Sequence, residues 1–265
     1  MEEKNIILKI NNCSISYGNG VDAVKNVSLS LREREIISIV GESGSGKTTL
    51  IRAIMGLLPE NGRITGGEII FDGKTLSKDN EEAFNSLRGK EMTMIFQDAG
   101  ESIDPIRKIG YSFKEALKSS QKMKKSLIEK LIDKMLDGVR LPDKKRILSS
   151  YPFELSGGMK QRVGIAMATS VNPRLLLADE PTSALDVTIQ AQIVKLLKQL
   201  GKEKNCAIIM VTHNMGIASY ISDKIGVMKD GEMVEFGERD RVIYHPQSQY
   251  TKELLNSVIR FGDSR

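Results

Sequence analysis

Short apolar runs separated by polar turns occupy the first forty residues, a pattern typical of β-strands. Two of these runs, Ile6 to Ile10 and Ser14 to Tyr17, precede a turn at Gly18-Asn19-Gly20. Val27 to Leu31 then alternates apolar and polar positions, and Ile36 to Val40 is apolar throughout. The start of the chain is therefore predicted to be a β-rich lobe.

Two Asp-Gly pairs predict tight hairpins further along the chain. Asp72-Gly73 lies in the segment Gly66 to Lys74, and Asp230-Gly231 lies in the segment Gly226 to Phe236. Such pairs suit the positive φ angles that tight hairpin turns require. A short apolar strand, Met92 to Phe96, is predicted between them.

The pattern changes from strand to helix after Gln97 and stays helical for roughly sixty residues. Within this stretch, pairs of apolar residues recur at helical spacing, with lysines on the opposite face. Such a stripe indicates core packing, because one face of the helix is continuously apolar. The six residues of the stripe are Leu127, Ile128, Leu131, Ile132, Met135 and Leu136.

Alternation of helices and strands resumes at Val163, with a helix to Ser170. Strands are predicted at Leu175 to Ala178 and Ala207 to Thr212, with a helix, Val187 to Leu200, between them. This alternation favours a parallel sheet covered by helices on both faces. A short helix near Tyr250 to Val258 follows the last hairpin.

The segment Gly41 to Thr48 reads GESGSGKT and joins the apolar strand Ile36 to Val40 to an apolar-periodic helix, Thr49 to Leu58. Glycines in this context let backbone N–H groups surround a polyphosphate, and the following helix presents its positive dipole end to the same anion. Lys47 is expected to reach the β- and γ-phosphates, and the Thr48 hydroxyl to lie on Mg²⁺. The segment is therefore predicted to be a phosphate-binding loop.

Two adjacent carboxylates, Asp179 and Glu180, end the strand that begins at Leu175. Asp179 is expected at the carboxyl edge of the sheet, where it can hold the magnesium shell. Glu180 must be placed by the turn that follows, where it can polarise a water attacking the γ-phosphate. Polar capping of a strand end is the alternative for this pair.

A second anion site is predicted at Ser156-Gly157-Gly158, at the start of a helix, because a hydroxyl, backbone N–H groups and the helix dipole converge there. An N-capped helix with a flexible start is the alternative. At this point the sequence resembles the ATP-binding subunits of ABC transporters, which carry Walker A, a glutamine loop, an LSGGQ-type signature, Walker B, a D-loop and a histidine switch in that order. Here those motifs are Gly41–Thr48, Gln97, Leu155–Arg162, Leu175–Glu180, Ser183–Asp186 and His213.

The resemblance implies an α/β fold: a P-loop NTPase core of the ABC ATPase type with an N-terminal antiparallel β lobe and an inserted α-helical lobe. It divides the chain into 1–97 (β lobe and first half of the core), 98–157 (helical lobe), 158–240 (second half of the core) and 241–265 (family-specific tail). It also implies ATP hydrolysis with Mg²⁺. The signature of one copy then covers the nucleotide held by the phosphate loop of another.

The same resemblance predicts the residues of the nucleotide site. Tyr17 is expected to stack on adenine, and packing in the core is the alternative. The catalytic residues are predicted to be Lys47, Gln97, Glu180 and His213. The Mg²⁺ ligands are predicted to be Thr48, Gln97 and Asp179. The residues predicted to bind ATP are Tyr17, Gly41, Glu42, Ser43, Gly44, Ser45, Gly46, Lys47, Thr48, Thr49, Ser156, Gly157 and Gly158.

The segment from His245 to Leu255 resembles the HPxHPYTxxLL segment of the peptide and nickel importer group. Nickel, a metal chelate or an oligopeptide therefore remain open as the solute. The chain stops at Arg265 with no cysteine after Cys206, which favours the short subunits of nickel or metal-chelate importers. Two features depart from the group: the segment Asp98 to Pro105, where DPMTSLNP-like residues are usual, and Asn214, where an acid is common.

The composition of the chain limits which partners and which cellular compartment are expected. Its 265 residues carry 39 Lys and Arg against 34 Asp and Glu, a formal charge of +5, which is too small to indicate nucleic acid by itself. Cys13 and Cys206 form no CxxC pair, so a reducing compartment is expected. The start of the chain has no export signal and no apolar run of membrane-spanning length, so the chain is expected not to be exported.

The expected location is the cytoplasmic face of the membrane, as a peripheral subunit. Its expected partners are a second, different ATPase subunit in a heterodimer, two membrane permeases and, indirectly, an extracytoplasmic binding protein. A homodimer is the alternative, and no nucleic-acid partner is expected. A DNA-repair or chromosome ATPase is the rival class, but such proteins carry long coiled coils between Walker A and the signature. A GTP-binding switch is a third class, and the chain has no NKxD-type guanine motif.

Overall fold

A computed structural model describes residues 5–18, 20–76, 81–97, 103–120, 124–183, 185–203 and 205–257. The strands are β1 Ile6–Tyr17, β2 Val21–Arg32, β3 Ile36–Val40, β4 Gly62–Phe71, β5 Lys74–Leu76, β6 Met92–Ile95, β7 Leu175–Asp179, β8 Ala207–Thr212, β9 Lys224–Lys229 and β10 Glu232–Glu238. The helices are α1 Lys47–Ile54, α2 Glu81–Leu87, α3 Ile109–Ser120, α4 Lys125–Gly138, α5 Lys144–Ser149, α6 Gly157–Ala168, α7 Val187–Glu203, α8 Met215–Ile221, α9 Arg239–Tyr244 and α10 Gln249–Ser257.

The described residues divide into two compact units. The first unit joins the residues up to Glu81 with those from Ile209 onward, and the second unit comprises Glu82–Ile208. The four lobe boundaries implied by the family resemblance stay a prediction. Among the described residues, no helix combines the length and the apolar character needed to cross a membrane.

An antiparallel sheet in the order β2-β1-β4-β5 forms the β lobe of the first unit. The sequence predicts two separate segments where the structure has the continuous strand β1. Asn12 adopts a φ of 49°, and the pairing with β2 shifts register between Ile10 and Cys13. A bulge at this polar position therefore interrupts the apolar pattern without ending the strand.

The first unit also contains strands in the order β10-β9-β3-β8, including residues 209–212 of β8, with β3 parallel to β9 and β9 antiparallel to β10. Helices α8, α9 and α10 contribute to one core with these strands. That core contains Val40, Met215, Ala218, Ile225, Val227, Val242 and Tyr250. The described part of the predicted tail, residues 241–257, thus shares a core with the strand that leads into the phosphate loop.

Both Asp-Gly hairpin predictions agree with the backbone, because all four residues have positive φ. The angles are 48° and 76° at Asp72-Gly73, and 50° and 86° at Asp230-Gly231. The first pair joins β4 to β5, and the second joins β9 to β10. Both cysteines are fully or almost fully buried, with Cys13 at 0% exposure and Cys206 at 3%.

The second unit pairs β6 and β7 in parallel and contains the helices α2 to α7. The prediction of an unbroken helical stretch from residue 98 is wrong, because residues 103–108 are not helical and α3 begins at Ile109. The predicted stripe on α4 is correct for Ile128, Ile132 and Leu136, which are buried. Leu131 and Met135 are half-buried and Leu127 is 47% exposed, so the buried face of α4 is centred on the other three residues of the stripe.

Candidate functional site

The phosphate loop begins where the fully buried strand β3 ends. Gly41 is buried, and α1 starts at Lys47 after Gly46, which has a φ of 95° and offers no side-chain oxygen to cap the helix. Only glycine adopts such a φ without strain. No side chain of Gly46 caps α1, and binding of an anion at this N-terminus stays a prediction.

Two glycines let the loop lie against neighbouring backbone. A Cβ on Gly41 would stand 2.1 Å from the carbonyl oxygen of Met228, and a Cβ on Gly46 would stand 2.2 Å from that of Ala23. Neither position can hold a side chain without moving the backbone. The cradle is thus held between β2 and β9 in a shape that suits the phosphates of a nucleotide.

Lys47 points along the inside of this loop. Its side chain is buried, and its Nζ donates to the carbonyl oxygens of Gly41 (2.9 Å) and Glu42 (2.6 Å) and to Oγ of Ser45 (3.1 Å). A buried ammonium held by dipoles of its own loop is oriented before any ligand arrives. The loop therefore fits a polyphosphate in shape and in charge.

The hairpin turn between β9 and β10 supports the loop from outside. The N–H of Gly231 donates to the carbonyl of Ser45 (3.3 Å), and the N–H of Lys25 donates to the carbonyl of Gly231 (2.8 Å). The phenol oxygen of Tyr250 accepts a hydrogen bond from the N–H of Glu42 (3.3 Å). Sequence patterns give no signal for these long-range contacts.

Tyr17 lies beside the first turn of α1, as its predicted role requires. Its hydroxyl is hydrogen-bonded to Oγ1 of Thr49 at 3.0 Å, and the side chain is half-buried. A Cβ on Gly62 would stand 3.0 Å from the Tyr17 ring, so one edge of the ring lies against β4. Tyr17 and Thr49, two of the residues predicted to bind nucleotide outside Walker A, are thus in contact in the first unit, and adenine stacking remains a prediction.

His213 follows β8 directly and is exposed. Asn214, the departure from the usual acid, caps α8: its Oδ1 accepts from the N–H of Ile217 at 3.1 Å. Its own N–H donates to Oγ1 of Thr212 at 3.1 Å. Because Asn is as good a helix cap as Asp, the substitution preserves the local geometry around His213.

In the second unit, Asp179 closes β7 and is 2% exposed, whereas Glu180 is half-buried and has a φ of 40°. A left-handed backbone is uncommon for a residue other than glycine. The carbonyl of Glu180 accepts from the N–H of Ser183 at 3.2 Å, so a turn begins here as predicted. This turn directs Glu180 differently from Asp179 at the end of the same strand.

The signature serine caps α6, since Ser156 Oγ accepts from the N–H of Met159 at 3.4 Å. A Cβ on Gly158 would lie 3.1 Å from Cγ2 of Ile189, whereas one on Gly157 would lie 3.8 Å from Leu185. The start of α6 therefore packs closely against the start of α7. A capped start of α6 is expected for the predicted anion site and equally for its alternative, a simple capped helix, so this geometry does not distinguish them.

Two side chains, those of Gln190 and Asp186, form hydrogen bonds with the backbone in and around the D-loop. The sequence predicts no such role for Gln190. Gln190 Nε2 donates to the carbonyls of Thr182 (3.0 Å) and Leu185 (2.9 Å). Asp186 Oδ1 accepts from the N–H of Ile189 (3.0 Å) and so caps α7. The cap has a recognisable signal, an Asp before an apolar-periodic run, but the Gln190 contacts have none.

Gln97 is exposed and lies two residues after β6 ends. The altered segment after it lies partly outside the described residues, which exclude Asp98, Glu101 and Ser102. Within the described ranges, no three His, Cys, Asp or Glu side chains form a metal-binding cluster. Of the predicted Mg²⁺ ligands, Thr48 belongs to the first unit, and Gln97 and Asp179 belong to the second.

Known proteins give the family of the chain. The family model described as "ABC transporter" matches residues 24–183. The dipeptide transport ATP-binding protein DppD of Bacillus subtilis is 42% identical over 96% of this chain and 77% of its own length. The oligopeptide transport ATP-binding protein OppD of Salmonella typhimurium is 43% identical over 97% of this chain and 77% of its own length.

The fold of this chain is also similar to that of a known ATP-binding cassette. A dimeric, post-hydrolysis structure of the ATP-binding cassette MJ0796, bound to ADP and Pi, superposes with a TM-score of 0.78 at 30% identity, covering 88% of this chain and 99% of that one. The predicted fold class, an ABC-type P-loop ATPase, is confirmed. The chain therefore belongs to the ABC transporter family, as an ATP-binding ATPase subunit of the oligopeptide and dipeptide importer group.

Proposed function

We propose that this ATPase powers the import of a short peptide through a membrane transporter. The observation that carries the proposal is identity of 42–43% along nearly the whole chain to proteins named for dipeptide and oligopeptide transport. The solute itself would bind elsewhere in the transporter, on an extracytoplasmic binding protein and the membrane permeases. Nickel and metal chelates are the competing solutes.

The site residues keep the roles implied by the family. Lys47 would hold the β- and γ-phosphates, the Mg²⁺ ligands would be Thr48, Gln97 and Asp179, and Glu180 would polarise the attacking water. His213 contacts the γ-phosphate. Support comes from the buried, loop-held ammonium of Lys47 and from the turn that begins at Glu180. Mg²⁺ supplies charge neutralisation at the phosphates when it is bound.

Two chains sandwich two nucleotides in this proposal, with Ser156-Gly157-Gly158 of one chain facing the phosphate loop of the other. The dimeric form of the MJ0796 cassette supports such pairing. The second chain is a different ATPase subunit, and the pair docks on two permeases at the cytoplasmic face of the membrane. An extracytoplasmic protein delivers the solute to the permeases.

Uptake by cells lacking this subunit tests the proposed solute. Wild-type chain should restore uptake of radiolabelled dipeptide or oligopeptide, and Lys47→Ala should not, while Lys195→Ala, at an exposed position on α7, serves as the control. Restored nickel uptake without peptide uptake would overturn the choice of solute.

Copurification and the response of turnover to DNA test the rival class, a DNA-repair or chromosome ATPase. Copurification with the two permeases is expected, together with turnover that does not respond to DNA. DNA-stimulated turnover without permease binding would instead favour a DNA-repair or chromosome ATPase.

A further inference from the structure

The tail that identifies the importer group has no role in the functions described above. Its helix α10 places Tyr250 against the first unit's core, where the side chain is 8% exposed. In that core it shares a cluster with Val40, the last residue of β3 before the phosphate loop. A motif distant in sequence from Walker A is therefore packed directly beneath it.

The phenol of Tyr250 contacts the second residue of the loop. Its oxygen accepts from the N–H of Glu42 at 3.3 Å. Burial raises the pKa of the phenol, the hydrogen bond from the Glu42 N–H lowers it, and the charge of the Glu42 carboxylate and a hydrogen bond with it raise it again, so the pKa lies above its ordinary value. The phenol thus stays protonated and interacts with both the backbone and the side chain of Glu42.

Two further groups fix the tyrosine. Nζ of Lys229 lies 4.7 Å from the centre of its ring, a cation–π distance. The buried carboxylate of Glu235 accepts from the N–H groups of Gln247 (3.0 Å) and Ser248 (3.1 Å), just before α10 begins. Strands β9 and β10 therefore position α10, and α10 positions the phenol.

We infer that Tyr250 is a positioning residue for nucleotide binding: it fixes the Glu42 end of the phosphate loop in the shape that accepts the polyphosphate. The Glu42 carbonyl also accepts from Nζ of Lys47 at 2.6 Å, so the contact is relayed to the ammonium. One hydrogen bond thus links the family-specific tail to the cation that holds the phosphates. The inference rests on the proposed role of Lys47 at this site.

Tyr250→Phe tests the contact, because it removes the hydroxyl and keeps the ring. The dissociation constant of a fluorescent ATP analogue with Mg²⁺ should rise roughly three- to tenfold, the loss expected for one hydrogen bond. Amide hydrogen exchange of a peptide covering residues 36–50 should quicken. In the assembled transporter, KM for ATP should rise while kcat changes less than twofold.

Tyr244→Phe is the matched control, because Tyr244 is 72% exposed on the neighbouring helix α9. It should bind the analogue as wild type does. A Tyr250→Phe chain that binds within twofold of wild type, or that loses thermal stability with unchanged affinity and exchange, overturns the inference. Lys47→Ala separates the two proposals: wild-type affinity in that variant would mean that the loop is not the nucleotide site at all.

Discussion

At the scale of single residues, some residues of the predicted nucleotide site have a left-handed backbone conformation. Glu180 has a φ of 40°, and Gly46 has a φ of 95°. A left-handed glycine costs little, but a left-handed glutamate stores strain that surrounding contacts must offset. The chain therefore holds the backbone of Glu180 in this conformation at some energetic cost.

Glu180→Gln should retain binding of Mg-ATP and hydrolyse it at least ~100-fold more slowly, because the amide keeps the shape and loses the charge that polarises water. The variant should also accumulate as an ATP-bound pair of ATPase subunits. Phosphate release and nucleotide binding are the measurements. Turnover close to that of wild type would show that Glu180 is not the residue that polarises the attacking water.

Tyr17→Ala should weaken ATP binding by ~0.5–1.5 kcal/mol through loss of the aromatic face. Tyr17→Phe keeps that face and should bind ATP almost normally, although loss of the hydrogen bond to Thr49 should lower stability by about 1 kcal/mol. Calorimetric binding and thermal melts separate the two effects. Normal ATP binding by Tyr17→Ala with a lowered melting temperature would instead place Tyr17 in the core.

At the scale of elements, the sequence predicts those with strong local patterns. β8 has the bounds predicted from its apolar run, and both Asp-Gly turns lie where expected. The sequence does not predict the three short helices α2, α8 and α9, because six or seven residues give too little periodicity. Contacts such as Tyr250 with Glu42 were unpredictable, since they depend on tertiary packing between residues 208 positions apart.

The two signature glycines offer a matched pair for the packing of α6 on α7. Gly157→Ala should leave stability unchanged or raise it, because the added Cβ makes an ordinary contact at 3.8 Å. Gly158→Ala should be less stable than Gly157→Ala by about 1 kcal/mol or more, because its Cβ crowds Ile189 at 3.1 Å. Denaturant unfolding should also show that an added Ile189→Ala change removes the difference; a difference that persists would assign it to another cause.

Glu235 gives α10 a pH-dependent attachment. Burial alone would raise the pKa of this carboxyl, but the N–H groups of Gln247 and Ser248 and the charge of Arg241 hold it below its ordinary value. Its stabilisation is therefore fully present above the ordinary pKa and is lost as the pH falls through the lowered one. Glu235→Gln should cost roughly 1–3 kcal/mol at pH 7, and this cost should shrink as the pH falls through the lowered pKa of Glu235. A cost that does not vary with pH would contradict this account.

At the scale of the whole molecule, the proposed function requires a second chain. The purified subunit should be mostly monomeric with low ATPase activity, because its signature needs nucleotide held by another chain. Light scattering and turnover against protein concentration measure both. A fully active homodimer of this chain alone would show that the proposal of a heterodimer is wrong.

The 98–115 region is proposed to dock on a permease. Glu101 lies outside the described residues, whereas Asp104 is exposed, and its Oδ2 pairs with Nε of Arg107 at 3.1 Å. Asp104→Lys should impair assembly or transport and leave ATP binding intact, whereas Glu232→Lys, an exposed reversal on β10, should affect neither. Pull-down of the permeases alongside ATP binding is the measurement; normal assembly and transport by Asp104→Lys would exclude this docking surface.

The burial of both cysteines makes the chain suited to site-specific labelling. Burial raises the pKa of the Cys13 thiol to about 11, so at pH 8 it stays protonated and unreactive toward maleimides. Cys206 is enclosed at the start of β8, where its Sγ donates to the carbonyl of Ala207 at 3.4 Å. A single cysteine introduced at an exposed position, such as Lys195 on α7, would then carry a fluorophore or spin label without removal of the native thiols, and distances between subunits could be followed through the hydrolysis cycle.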